Sequence, residues 1–351
     1  MKKLKVILFF LLFVIFLCGC SSKNNKKIVI NLDEIKDVTT EKFSLLNIVD
    51  NKGDTLYFSQ IGDIISGADS SIIIIETVKS RVIQIDKNGN FKKYIGRGRQ
   101  GSGPGEFNNP VSGVYYNGNH YITDNWGMLI QKYDKDMNYL TTYKIRGYSH
   151  IVFINENEIL SFYDESDTHI FCVRDTLGNI VRSFGDIEGN EEGVVQNKKR
   201  MSQVKFVYDS LYKHIFLVSN WAPIIRRFDL NGNLLQRIDF EGKVIDTLNI
   251  AAERGRQRAG NAPNAIGGTQ YLINPSIVEG NKLLVSITKF GSLLLEYDEK
   301  NIKDKKMIKY EIANVSNIHS TIIFNSLGIK DFNNVRLLYS MFGGSIFVSN
   351  K

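Results

Sequence analysis

The chain is poor in the residues that usually announce chemistry. Its five histidines, His120, His150, His169, His214 and His319, are scattered, without His-x-x-x-His or Cys-x-x-Cys spacing. That pattern offers no metal site. No Gly-x-Ser-x-Gly elbow and no Walker loop is present, so the common signatures of a serine hydrolase and of a P-loop nucleotide site are missing. Gly96-Arg-Gly-Arg-Gln-Gly101 matches G-x-G-x-x-G, but Ser102-Gly-Pro-Gly105 follows, which forbids the helix a dinucleotide site needs. It reads as a turn-rich connection, and no cofactor is expected. Long helical periodicity is nearly absent, apart from residues 246–259. The chain has three cysteines and a formal charge of +7.

Both numbers shrink on inspection. Lys2, Lys3 and Lys5 precede an apolar run over residues 6–17 that is too short to span a bilayer comfortably. A basic start, an apolar centre and a small-residue exit form the pattern of a secretory signal. Removing those lysines takes the charge to +4, with Lys23, Lys26 and Lys27 in the polar tail just beyond. The folded body is close to neutral and has little electrostatic basis for binding nucleic acid. Leu17-Cys18-Gly19-Cys20 resembles a bacterial lipobox, with Cys20 as the lipidated mature N-terminus. Acyl chains would hold the protein on a membrane without a spanning helix. Cys172, in the strand-like Ile170-Phe-Cys-Val, is then left without a disulfide partner and reads as a buried thiol. The predicted organisation is a signal over 1–19, a lipidated N-terminus and tether over 20–40, and one folded domain over 41–351.

What is abundant is a refrain. Arg81-Val-Ile-Gln-Ile-Asp-Lys-Asn-Gly-Asn-Phe is followed by Met128-Leu-Ile-Gln-Lys-Tyr-Asp-Lys-Asp-Met-Asn-Tyr. Ile170-Phe-Cys-Val-Arg-Asp-Thr-Leu-Gly-Asn-Ile, Ile224-Ile-Arg-Arg-Phe-Asp-Leu-Asn-Gly-Asn-Leu and Leu293-Leu-Leu-Glu-Tyr-Asp-Glu-Lys-Asn-Ile repeat it. The pivots are Asp86, Asp134, Asp175, Asp229 and Asp298. A hairpin precedes each copy; Gly113-Val-Tyr-Tyr-Asn-Gly-Asn-His-Tyr-Ile-Thr-Asp, turning at Asn117-Gly118, is the clearest. Hairpin plus refrain makes four antiparallel strands, the unit of a propeller blade. Units fall at about 61–95, 110–145, 149–185, 203–240 and 273–310. The unmatched hairpin over 335–350 and the strand-like runs at 43–49 and 55–59 would complete one another. The expectation is an all-β, six-bladed β-propeller of four-stranded antiparallel blades, closed by N-terminal strands.

Ile95-Gly-Arg-Gly-Arg-Gln-Gly-Ser-Gly-Pro-Gly-Glu-Phe-Asn-Asn-Pro110 looks like the loop that opens an NHL-type blade. Thr123-Asp-Asn-Trp-Gly-Met-Leu-Ile-Gln-Lys-Tyr-Asp134 resembles that repeat's second half. With the lipobox, the chain resembles the bacterial six-bladed β-propeller lipoproteins, although the Gly-Pro-Gly-Glu loop is missing from the later units. The resemblance implies little about activity, because one fold hosts many functions. Related propellers include lactonases and lyases with a metal in the central channel, which is the alternative reading. The inner-strand positions Ile64-Ile65, Val114-Tyr115, Val152-Phe153 and Val204-Lys205 tilt against it.

Turns between second and third strands share a face with the connections between blades. That places Asn125-Trp126 and Asn220-Trp221 together with loops carrying Arg97, Arg99, Arg254 and Arg256. Aromatic and arginine side chains on a rim are the residue types that dominate recognition. These eight residues are the candidate binding site. The expected function is a lipid-anchored, non-enzymatic binding or scaffold propeller of the cell envelope, recognising a glycan, peptide or partner protein. Its expected place is the outer membrane, with the periplasmic side favoured because no acidic cluster follows Cys20.

Overall fold

The structure, a computed structural model, describes residues 26–95, 100–101, 103–124, 128–145, 150–162, 169–186, 205–219, 222–259, 272–278, 280–287, 291–312, 327–332, 335–340 and 346–350. Two strands, β1 (Lys26–Asn31) and β2 (Val38–Leu45), precede the repeated units. The first unit is β3 (Ile61–Ser66), β4 (Ile72–Glu76), β5 (Arg81–Ile85) and β6 (Phe91–Ile95). The second is β7 (Ser112–Tyr116), β8 (Asn119–Asp124), β9 (Leu129–Tyr133) and β10 (Tyr139–Tyr143). The third is β11 (Ile151–Asn155), β12 (Glu158–Phe162), β13 (His169–Arg174) and β14 (Ile180–Asp186). The fourth is β15 (Lys205–Asp209), β16 (His214–Val218), β17 (Ile224–Asp229) and β18 (Leu234–Glu241). A helix, α1 (Lys243–Ala259), leads to β19 (Leu272–Val278), β20 (Lys282–Ile287), β21 (Gly291–Tyr297) and β22 (Ile302–Ile312). The chain ends on β23 (Leu327–Phe332), β24 (Val335–Ser340) and β25 (Ile346–Asn350).

The molecule is an all-β propeller of four-stranded antiparallel units, but the expected six blades are corrected to five. Hydrogen bonding gathers the strands into five sheets, one of them eight-stranded in the order β19-β20-β21-β22-β2-β25-β24-β23. The cause is β2. It pairs in parallel with β22 from Val38↔Met307 onward, then antiparallel with β25 at Ser44↔Val348 and Leu45↔Phe347. One strand thereby fuses what the sequence presents as two units. Both ends of this sheet, β19 and β23, lie beside each other, and β23 comes back beside β3.

Residues 26–40, expected within the tether, are instead part of the folded structure. Residues 26–31 form β1, which pairs in parallel with β18 from Lys26↔Gln236 to Asn31↔Glu241. Lys27 adds an ion pair to Asp239 at 2.7 Å. Ile30 and Leu32 then enter the core beside Ile245, Leu248 and Ala252 of α1. Alternating strand geometry makes apolar residues with both faces covered pack in two directions. Along β4, Ile72 and Ile74 meet Ile48 and Ile346, while Ile73 and Ile75 meet Phe107, Ile122 and Tyr133 of the second blade. The core therefore lies between the blades.

Candidate functional site

An antiparallel four-stranded unit has two ends. Turns from first to second and third to fourth strand lie at one, and turns from second to third strand, with the connections between blades, lie at the other. The first end is built by the pivot aspartates. Asp86 Oδ1 accepts from the backbone N–H of Asn88 and Asn90 at 2.8 and 2.9 Å, and Oδ2 accepts from the Asn90 side chain at 2.9 Å. Asp134, Asp175 and Asp229 repeat that arrangement with Asn138, Asn179 and Asn233. Asp298 accepts from the backbone of Lys300 and Asn301.

These bonds favour the ionised carboxylate. The backbone and side chain of Asn138 hold Asp134 below the usual carboxylate range, and the Asn179 side chain does the same for Asp175. At Asp86 partial burial pulls upward and is outweighed by Asn90. Asp50 carries the same turn, accepting from the N–H groups of Lys52 and Asp54 at 2.9 and 3.1 Å. This copy escaped the sequence reading because Asp54 replaces the closing Asn and only a single bridge, Val49↔Thr55, flanks it.

Buried side chains tie the turn face together, within a blade at His120 and between blades at Arg227. His120, fully buried, shares a hydrogen bond of 3.1 Å between Nδ1 and the Asp134 carbonyl, so Nδ1 is its protonated nitrogen. Arg227 is 1% exposed between the rings of Phe216 and Tyr297. It donates from Nε to His214 Nδ1 at 3.0 Å and also bonds the Asp298 carbonyl of the next unit. Burial, then the Arg227 charge, pushes the His214 pKa down to about 4. His214 is thus a neutral acceptor in a buried structural cluster.

The other end is less regular and carries the candidate site. Asp63 and Ser112 occupy matching positions at the starts of successive inner strands, and His150 stands one residue earlier in register at the third. Asp63 pairs with Ile75 and Ser112 with Thr123, each next to last in its second strand; His150 immediately precedes β11. Ser112 Oγ donates to Asp63 Oδ2 at 2.8 Å and lies 3.1 Å from His150 Nδ1. A hydroxyl has one hydrogen, so His150 Nδ1 is the donor in the second bond. Asp63 and Ser112 are buried, at 2% and 4% exposed, and His150 packs edge-on against Phe206 with centroids 5.1 Å apart. Lys205, opposite Val218 at the end of its second strand, starts the fourth inner strand one residue earlier in register. A polar row of carboxylate, hydroxyl, imidazole and ammonium thus crosses four inner strands.

The order of these groups bears on chemistry. A nucleophilic triad places histidine between acid and serine. Here serine is central and donates its hydrogen bond to Asp63, so the row fixes a histidine tautomer and lacks the order of that triad. Among the described residues no three His, Cys, Asp or Glu side chains gather as metal ligands. Sequence reasoning weighed Lys205 but missed Asp63, Ser112 and His150, because on those strands it considered positions one or two residues further along.

Acids at the ends of second strands fix the neighbouring connections. Glu76 Oε1 accepts from Ser59 N at 2.7 Å, and Asp124 Oδ1 accepts from Asn108 N at 2.8 Å. On the same face, Tyr57, Val78 and Met128 are exposed. Of the sequence-predicted site, Asn125, Trp126, Asn220, Trp221, Arg97 and Arg99 lie outside the described residues, as does Cys20. Their flanks do not: Asp124 ends β8 and Ser219 follows β16. Arg254 is exposed on α1, and Arg256 lies on the same helix. The Asp33 carboxylate accepts from Lys243 N at 3.0 Å, capping α1.

The fold defines the class, a β-propeller. No family model and no curated protein matches the chain. Among solved structures it is similar to a Bacteroides fragilis protein named as exported, with TM-score 0.54 and 15% identity over 90% of this chain and 99% of that one. It is also similar to the WD40 propeller domain of Doa1, at TM-score 0.49 and 10% identity over 89% and 97% of the two chains. A third likeness is to virginiamycin B lyase from Staphylococcus aureus, at 0.46 and 11% identity over 86% of each. Identities this low establish the fold alone.

Proposed function

We propose that this propeller is a lipid-anchored binding or scaffold protein of the cell envelope, held at Cys20 and engaging a glycan, peptide or partner protein through its long-connection face. The observation that carries the reading is the polar row of Asp63, Ser112, His150 and Lys205 at that face. It joins a carboxylate, a hydroxyl and a fixed imidazole, with Lys205 at the start of the next inner strand, while exposed Tyr57, Val78 and Met128 supply apolar rim. Convergent polar groups inside an apolar rim suit recognition. Trp126, Trp221, Arg97, Arg99, Arg254 and Arg256 complete the proposed surface. The basic, apolar and lipobox sequence of the N-terminus supports export and anchoring, on the periplasmic side of the outer membrane, and a similar fold in a protein named as exported accords with it.

Two experiments test this reading. Cys20→Ser should release the protein from membranes into the soluble fraction; continued sedimentation with membranes would defeat the anchor. The chain starting at Ser21, immobilised and offered glycan and peptide libraries, should retain a ligand that Trp126→Ala loses by about tenfold or more. Turnover of a lactone panel by that protein, unaffected by Trp126→Ala, would replace binding with catalysis.

A further inference from the structure

The same molecule indicates which way it faces. β1 runs parallel to β18, and β18 leaves the turn at Asp229 to climb toward α1. Lys26 therefore lies at the turn end of the blade and Asn31 at the long-connection end. Lys26 Nζ bonds the Asn301 side chain, within the turn that follows β21. The chain thus enters the propeller at its turn face, on the rim of the fourth blade. Between Cys20 and Lys26 stand only residues 21–25. The six steps from Cys20 to Lys26 reach at most ~22 Å fully extended, and a five-residue strand at ~3.4 Å per residue is ~17 Å high. Turning the opposite face to the bilayer would use most of that reach merely to climb the blade. The turn face also carries two exposed leucines on adjacent blades, Leu177 at 82% and Leu211 at 60%. Apolar side chains beside an anchor gain by entering the headgroup boundary.

We propose that the turn face lies against the bilayer and the polar row faces away from it, so that the ligand arrives from the aqueous side. This rests on acylation of Cys20. The test uses the full acylated chain in phosphatidylethanolamine–phosphatidylglycerol vesicles doped with nitroxide lipid. Single thiols for a fluorescent label are introduced as L177C and L211C on one face and V78C and M128C on the other. Cys172 is buried and Cys20 is blocked by its lipid. Quenching should be at least threefold stronger at positions 177 and 211. Twenty Gly/Ser residues inserted after Ser22 should erase the difference. Equal quenching on both faces, the reverse order, or a difference that survives the insertion would overturn the orientation. If Cys20 carries no acyl chain, the anchor and the orientation fall together; acylation with even quenching removes the orientation alone.

Discussion

The two ends of the propeller are built from different material. At the turn end each blade repeats one device, an aspartate accepting two backbone N–H groups, and each copy closes in nearly the same geometry. At the other end no two connections match in length or composition, and successive inner strands offer Asp63, Ser112, His150 and Lys205 in turn. Repetition belongs to the end that holds blades shut. Variation belongs to the end where a ligand can be read, as expected of loops carried on a rigid scaffold.

Substitutions can break this contrast, and the largest effect is expected at Arg227. Replacing it by alanine opens a cavity between Phe216 and Tyr297 and strips His214 and the Asp298 carbonyl of a donor. The expected loss is about 3–5 kcal/mol in urea unfolding. A smaller loss, about 1–2 kcal/mol, is expected for Gly232→Ala. Gly232 has φ +82, and a Cβ there would come within 2.4 Å of the Phe184 Cβ. Asp134→Ala removes three accepted hydrogen bonds from a largely exposed turn and should cost about 1 kcal/mol. Arg254→Ala, on the exposed side of α1, should leave stability within about 0.5 kcal/mol while weakening capture of the ligand.

Acid sharpens the contrast further. His214 titrates near 6.5 when unfolded and at about 4 when folded, so the unfolded chain binds the extra proton between those values. Stability should therefore fall as pH drops from about 6.5 to 4, and His214→Gln should flatten that slope. Asp134 and Asp175 act lower: their depressed pKa values give stability present above the unfolded value of 3.8, lost as pH falls through the folded values. A urea midpoint series across pH separates the two windows.

Much of the turn end was legible in the sequence. The refrain named its pivots because an aspartate turn closed by asparagine is a local solution, complete within five residues. The blade count was not legible. It depends on β2 pairing with two partners far along the chain, and nothing in Val38-Thr-Thr-Glu-Lys distinguishes that strand from a tether. The polar row was hidden for a similar reason. Asp63, Ser112, His150 and Lys205 share no neighbouring motif, and only the folding of four inner strands side by side places them at one end of the propeller. The usable signal was their position, since each lies nearly the same distance upstream of its own pivot aspartate.

The division of labour between the two faces is tested most directly by measuring ligand capture and thermal midpoint on the same two variants. Trp126→Ala should lose capture with its midpoint unchanged, whereas Asp134→Ala should lower the midpoint and keep capture intact. If Asp134→Ala abolishes capture while folded, or Trp126→Ala unfolds the protein with capture unaltered in what remains, the assignment of recognition to one face and structure to the other is wrong.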